Sequence, residues 1–141
     1  MSATGRTGGF TLIETLVVVA VTGLIAGLGF PAVQHAIRAQ QFRTAEAQLV
    51  SALRTARANA VSSGEESRFA LAANGRAFVV GSAVAAPLIE GIAVTAVDRA
   101  SIRFFADGTS NGGRFVLADD RHHADVTVYP STGLTVVTDR R

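Results

Sequence analysis

The 141-residue sequence predicts an α+β fold: one long N-terminal α-helix, membrane-spanning in its first half, packed on a small antiparallel β-sheet domain. Three observations carry this. An uncharged apolar run stands near the N-terminus, and an Ala- and Arg-rich stretch with apolar residues every three or four positions follows it. From residue 64 onward, short β-branched and aromatic runs alternate with Gly- and Asn-containing turns.

Residues 1–9, MSATGRTGG, are small and polar with one positive charge, Arg6. At Phe10 the character changes, and Phe10-Thr-Leu-Ile-Glu14 leads into TLVVVAVTGLIAGLGFPAV. No residue from Thr15 to Val33 is charged, and about 20 such residues let a helix cross the roughly 30 Å hydrocarbon core of a bilayer. Arg6 before the span, with no acidic residue beside it, favours a cytoplasmic N-terminus. An ordinary secretory signal peptide has an apolar core of roughly 7–15 residues and a small-residue cleavage site beyond it. This run is longer and carries a carboxylate near its start.

Glu14 is the informative residue. A carboxylate in the membrane costs about 2.5–3.5 kcal/mol at the centre and less near an interface, so such residues normally have a partner. No basic residue of the chain lies within a helical turn of it; the next Arg is Arg38. A partner from another molecule meets the need, and an α-amino group freed at Phe10 by proteolysis carries the required charge. In the competing reading, a plain signal anchor, Glu14 lies at the headgroup boundary without a specific mate.

Gly9-Phe10-Thr11-Leu12-Ile13-Glu14, at the head of a hydrophobic run, resembles the type III (prepilin) signal of type IV pilins and type II secretion pseudopilins. The resemblance implies that 1–9 is a leader removed by prepilin peptidase between Gly9 and Phe10, and that Phe10 is then N-methylated. It implies that Glu14 pairs with the N-terminal amine of a neighbouring subunit during assembly. Pro31 sits where pilins carry a helix-kinking proline, although a proline at a membrane boundary can also mark the helix exit. A type IV pilin-like chain of this kind crosses the bacterial inner membrane once, at about 10–33. Its leader is cytoplasmic, its C-terminal domain is periplasmic, and its partners are the other pseudopilins of the same filament.

Beyond Pro31 the pattern turns amphipathic. Phe42, Ala45, Leu49, Leu53, Ala56 and Ala60 recur at steps of three or four and share one helical face. Arg38, Arg43, Glu46, Arg54 and Arg57 lie mostly off that stripe. Ala, Gln, Arg and Leu dominate, all good helix formers, and Ser62-Ser63-Gly64 supplies a stop. One nearly continuous helix is expected over 10–63, roughly 80 Å long at 1.5 Å per residue. A heptad coiled coil over 36–61 is the competing arrangement for its second half.

The remainder, 64–141, reads as about seven short strands. Arg68–Leu71 and Ala77–Val80 flank Asn74-Gly75, a two-residue hairpin signal. Further strands are expected at Ile92–Val97, Ser101–Phe105, Arg114–Leu117, Val126–Tyr129 and Leu134–Thr138. Ile102 to Leu117, with its Asp107-Gly-Thr-Ser-Asn-Gly-Gly113 loop, followed by Val126-Thr-Val-Tyr129 and Ser131-Thr-Gly133, resembles the C-terminal half of the GspH/FimT pseudopilin domain.

The rest of the composition mostly excludes. The pI of about 10.4 accompanies a net charge of only +2. All 13 basic residues are Arg, facing 11 acidic ones with no Cys and one Tyr, so few groups titrate between pH 7 and 10 and the pI reports no basic surface. Absence of Cys removes thiol catalysis, disulfides and Cys-based metal sites. Asp107-x-Thr109-x-Asn111-Gly112 imitates the start of a calcium loop, but Ala118 stands where the bidentate Glu is needed. A turn held by side chain–backbone bonds is expected there instead. Asp119-Asp-Arg-His-His-Ala-Asp125 reads as a solvated loop between strands. His35, His122 and His123 pair with no nucleophile, so no catalytic residue, no metal site and no cofactor is expected.

Arg140-Arg141 is the only clustered positive charge outside the helix, and Gly133 is followed by Leu134-Thr135 where DNA-binding FimT-like pilins carry a glycine-arginine motif. Two such residues could contact phosphates, but an exposed polar tail is the expected reading, and the departure from the motif counts against nucleic acid as a partner. The resemblance implies a minor pseudopilin, a structural subunit of the type II secretion pseudopilus that drives protein export across the outer membrane. The alternative is a FimT-like minor type IV pilin involved in pilus assembly or DNA uptake.

Overall fold

The computed structural model describes residues 10–89 and 91–140, and the side chains of these except 28–32, 139 and 140. Helix α1 spans Leu12–Ser63, 52 residues, close to the expected bounds. The chain divides into two compact units, with the boundary between Arg38 and Ala39.

The described part of the first unit is almost entirely α1. Its large apolar side chains stand open on every side, from Leu12 (85% exposed) through Val19 (71%) to Ile25 (66%). A helix apolar all round needs apolar surroundings. The hydroxyls on it are already satisfied: Thr15 Oγ1 donates to the Leu12 carbonyl at 2.9 Å and Thr22 Oγ1 to that of Val18 at 2.7 Å. Among the described residues no helix is long and apolar enough to cross a membrane. The span expected at about 10–33 includes side chains 28–32, which lie outside the described residues.

The second unit contains α1 from Ala39 to Ser63 and eight strands: β1 (Ser67–Leu71), β2 (Ala77–Val80), β3 (Ala86–Pro87), β4 (Ala93–Ala96), β5 (Ser101–Phe104), β6 (Gly113–Ala118), β7 (His123–Val128) and β8 (Thr135–Arg140). They form two four-stranded sheets, β3-β2-β1-β5 and β4-β6-β7-β8, antiparallel throughout. All seven expected strands are present. The two-residue β3 is additional, and the strands are shared between two sheets because β4 leaves its chain neighbours to pair with β6.

The amphipathic stripe is the centre of the core. Ala45, Leu49, Leu53, Ala56 and Ala60 are fully buried and Phe42 is 4% exposed, so the face packs within its own unit. Each full-size apolar side chain buried this way stabilises by about 1.5–3 kcal/mol. Phe69 of β1 joins the two sheets, stacking on Phe78 of β2 at 5.7 Å and meeting the edge of Phe115 of β6 at 5.4 Å. Aromatic pairs at such distances add about 0.5–1.5 kcal/mol beyond burial.

Two expectations need correction. The β1–β2 hairpin is present, but its turn is not the two-residue kind. Gly75 N–H donates to the Ala72 carbonyl at 2.9 Å, and Gly75 but not Asn74 has positive φ, whereas the two-residue type I′ turn needs both. The Gly75 carbonyl accepts from Val94 N–H of β4 at 3.2 Å, so the turn also links the sheets. The segment 119–125 is not one solvated loop: His123 to Asp125 belong to β7 and Asp125 is only 5% exposed. The reason is an ion pair across the strands, in which Arg114 reaches Asp125 through Nε at 3.3 Å and an η nitrogen at 2.7 Å.

Candidate assembly site at the helix N-terminus

The helix starts because Thr11 caps it. Glu14 N–H donates to Thr11 Oγ1 at 3.3 Å and to the Thr11 carbonyl at 3.0 Å, and Thr15 N–H reaches the same carbonyl at 3.2 Å. Thr11 is therefore the N-cap and Glu14 the third helical residue, the T-x-x-E spacing of a capping box. At that position the positive end of the helix dipole favours a carboxylate by about 0.3–1 kcal/mol.

Phe10 is 80% exposed and Glu14 is exposed four residues later. Among the described residues Glu14 has no cationic partner, and the flanking positions Leu12, Ile13 and Leu16 are apolar and 64–85% exposed. The arrangement is a single acid on the first turn of an otherwise apolar surface. Chemically, it can accept a cation delivered by another molecule. Gly9 lies outside the described residues. Helix α1 runs through Pro31, whose side chain is likewise outside them.

The domain has a second set of organised polar residues. In the 107–113 loop Asp107 Oδ1 accepts from Thr109 N–H at 2.9 Å and from Thr109 Oγ1 at 2.6 Å. These bonds hold the Asp107 carboxyl below its ordinary value. This is the self-bonded turn expected. Asp119 organises the β6–β7 turn, accepting from the N–H groups of Arg121 at 2.7 Å and His122 at 2.6 Å. Burial pushes the Asp119 carboxyl up, but those bonds and the His122 ring outweigh it and leave the carboxyl lowered. The hydrogen bond and charge of Asp125 raise the Arg114 guanidinium above its ordinary range. Among the described residues no three His, Cys, Asp or Glu side chains are placed to hold a metal ion.

Sequence reasoning missed the Thr11 cap, although T-x-x-E before an apolar run was there to be read. It also missed Arg57, whose role depends on contacts 51 and 75 residues away.

Residues 45–132, from the first turns of the buried stripe to the Ser131-Thr132 turn, match the family described as Type II transport protein GspH. The chain belongs to the GspH family. Residues 5–30 match the prokaryotic N-terminal methylation motif, a match that spans Gly9, Phe10 and Glu14. The GspH-family fold seen here is similar to that of the type IV minor pilin FimU of Pseudomonas aeruginosa in two crystal forms. One shares 16% identity at a TM-score of 0.61, covering 74% of this chain and 96% of that one. The other shares 16% at 0.58, covering 70% and 97%. It is also similar to the minor pseudopilin EpsH from the type 2 secretion system of Vibrio cholerae, at 11% identity and a TM-score of 0.55, covering 68% and 94%. At these identities the likeness is one of fold. No curated protein sequence matches the chain. The GspH match and the methylation motif together make it a pseudopilin- or pilin-like subunit.

Proposed function

We propose that this chain is a minor pseudopilin of the GspH type, a structural subunit of the type II secretion pseudopilus. The observation that carries the reading is Glu14, one carboxylate on the first turn of an exposed apolar helix, with no cationic partner among the described residues. Prepilin peptidase cuts between Gly9 and Phe10 and methylates Phe10. The apolar helix anchors the subunit in the inner membrane, with the domain in the periplasm and a kink at Pro31. On assembly the helix leaves lipid for a helical bundle, where Glu14 neutralises the Phe10 amine of a neighbour. A buried acid left unmatched would oppose that transfer, so the pairing sets which subunits enter.

Replacing Glu14 with Ala or Val tests this. The variant is expected to be inserted and processed, to lose crosslinking to partner pseudopilins, and to reduce secretion. Unchanged crosslinking and secretion would remove the assembly role. Mass analysis of the mature N-terminus is expected to find methylated Phe10.

A minor type IV pilin is the second reading, supported by the fold shared with FimU. Deleting the gene and scoring pilus assembly against protein secretion separates the two.

A further inference from the structure

The outward face of the β3-β2-β1-β5 sheet carries two arginines side by side. In β1, Ser67, Phe69 and Leu71 point into the core and Arg68 points out; in β5, Ile102 and Phe104 point in and Arg103 points out. The strand register sets Arg68 directly opposite Arg103. Directly opposed side chains have Cβ atoms about 4.5–5.5 Å apart, and like charges there are destabilising. Core packing does not require the arrangement, because both side chains are exposed.

Among the described residues little offsets it. Glu66 approaches Arg103 at 3.6 Å, with the two side chains 44% and 52% exposed, a pair of the kind that contributes little. Arg68 donates from Nε to Ser101 Oγ at 2.8 Å, and among the described residues no carboxylate pairs with it. That bond fixes one edge of the guanidinium. Arg103 lies over the Phe105 ring at 6.0 Å, the outer limit of a cation–π contact. Beside the arginines, Ala70 sits between Val79 and Ser101 in the register.

We infer that the Arg68–Arg103 face binds an acidic segment of another protein chain, its carboxylates received by the two guanidiniums and its backbone approaching over Ala70 and Ser101. Charge complementarity carries the choice of partner. Guanidinium forks match carboxylates in bidentate geometry. A phosphate chain would call for an extended basic tract, whereas this protein has a net charge of only +2 and no Lys. On the filament reading above, on which the partner's identity rests, the acidic segment belongs to a neighbouring subunit.

The test uses the full chain in detergent at low salt, titrated with an oligoglutamate peptide, an oligoglutamine peptide and a single-stranded oligonucleotide. The expected result is binding of oligoglutamate but not oligoglutamine. Affinity should fall about fivefold or more in the Arg68→Gln/Arg103→Gln variant, the scale of two exposed charge pairs. Arg76→Gln makes the same kind of charge change in the β1–β2 turn and is expected to leave binding unchanged. Circular dichroism checks that each variant is folded. No binding of oligoglutamate overturns the inference, and so does equal binding by the double variant or an equal loss from Arg76→Gln. Oligonucleotide binding as tight as oligoglutamate, lost in the same double variant, also overturns it, by making the face a phosphate site. A Glu14→Ala chain keeps this face intact. Loss of assembly in that chain with retained peptide binding, or the reverse in the arginine variant, separates failure of one reading from failure of the other.

Discussion

Arg57 of α1 and Gly108 of the 107–113 loop are joined directly, the guanidinium Nε donating to the Gly108 carbonyl at 3.0 Å. The same nitrogen reaches the Thr132 carbonyl at 3.1 Å. One helical side chain thus holds together two turns that lie 24 residues apart in sequence, and both belong to the segment matched by the GspH family. Hydrogen bonds to a charged group contribute about 1.5–3 kcal/mol when shielded. Arg57 is half-buried, so Arg57→Met, which keeps the apolar stem, is expected to lose about 1–2 kcal/mol. Urea unfolding of the detergent-solubilised chain checks this, as a lower midpoint with unchanged slope.

Gly133 completes the same junction and tolerates no side chain. Its φ is +62°, and a Cβ there would run into the Gly108 carbonyl oxygen and come within 3.0 Å of Arg57 Nε. Gly64, at φ +71° after the helix, has nothing within 4 Å of such a Cβ. Gly64→Ala therefore carries the conformational cost alone, roughly 1–2 kcal/mol. Gly133→Ala adds overpacking, typically about 1–3 kcal/mol more. Paired denaturation curves are expected to rank Gly133→Ala as clearly the less stable variant.

The stripe from Phe42 to Ala60 could be read because helical periodicity is a local property, and every member is buried. Strand positions followed from alternation in the same way, as in β1, where Phe69 is buried and Arg68 exposed. The division into two sheets was not local: it depends on β4 pairing with β6 across an intervening strand. The burial of Asp125 is non-local in the same way. An acidic residue two positions after a His-His pair has the composition of a loop, and the cross-strand register with Val116 and the reach of Arg114 make it a buried strand position. At the helix N-terminus the prepilin-like motif stood out as a lone charge in an apolar run, while its Thr11 cap, a weaker local signal, went unread.

Asp119 predicts an acid-sensitive turn. Its carboxyl is lowered from the ordinary 3.8 in the folded chain. The stabilisation it provides is therefore complete above the unfolded value and is lost as pH falls through 3.8 toward the lowered folded value. At neutral pH, Asp119→Ala is expected to lose about 1–2 kcal/mol, from bonds to a charged acceptor. As pH falls below 3.8 the gap between wild type and variant should close. Thermal melts across that range measure it, and a gap that stays constant would show that the charge of Asp119 is irrelevant.

Thr11 gives a prediction at the candidate assembly site that does not depend on filament formation. Its Oγ1 accepts from Glu14 N–H at 3.3 Å, alongside the backbone bonds from Glu14 and Thr15 to the Thr11 carbonyl. Thr11→Ala removes the side-chain acceptor and leaves the backbone bonds, at a cost of about 1 kcal/mol. That corresponds to roughly fivefold more frequent opening of the first turn, since about 1.4 kcal/mol is tenfold. Amide hydrogen exchange in micelles is expected to speed up at Glu14 and Thr15 by that factor. Thr22, whose hydroxyl bonds to Val18 further along the helix, should be unchanged. Thr11→Ser retains an oxygen at the cap and is expected to restore protection. Should it fail to do so, the methyl group of Thr11 rather than its hydroxyl would be what orders the turn that carries Glu14.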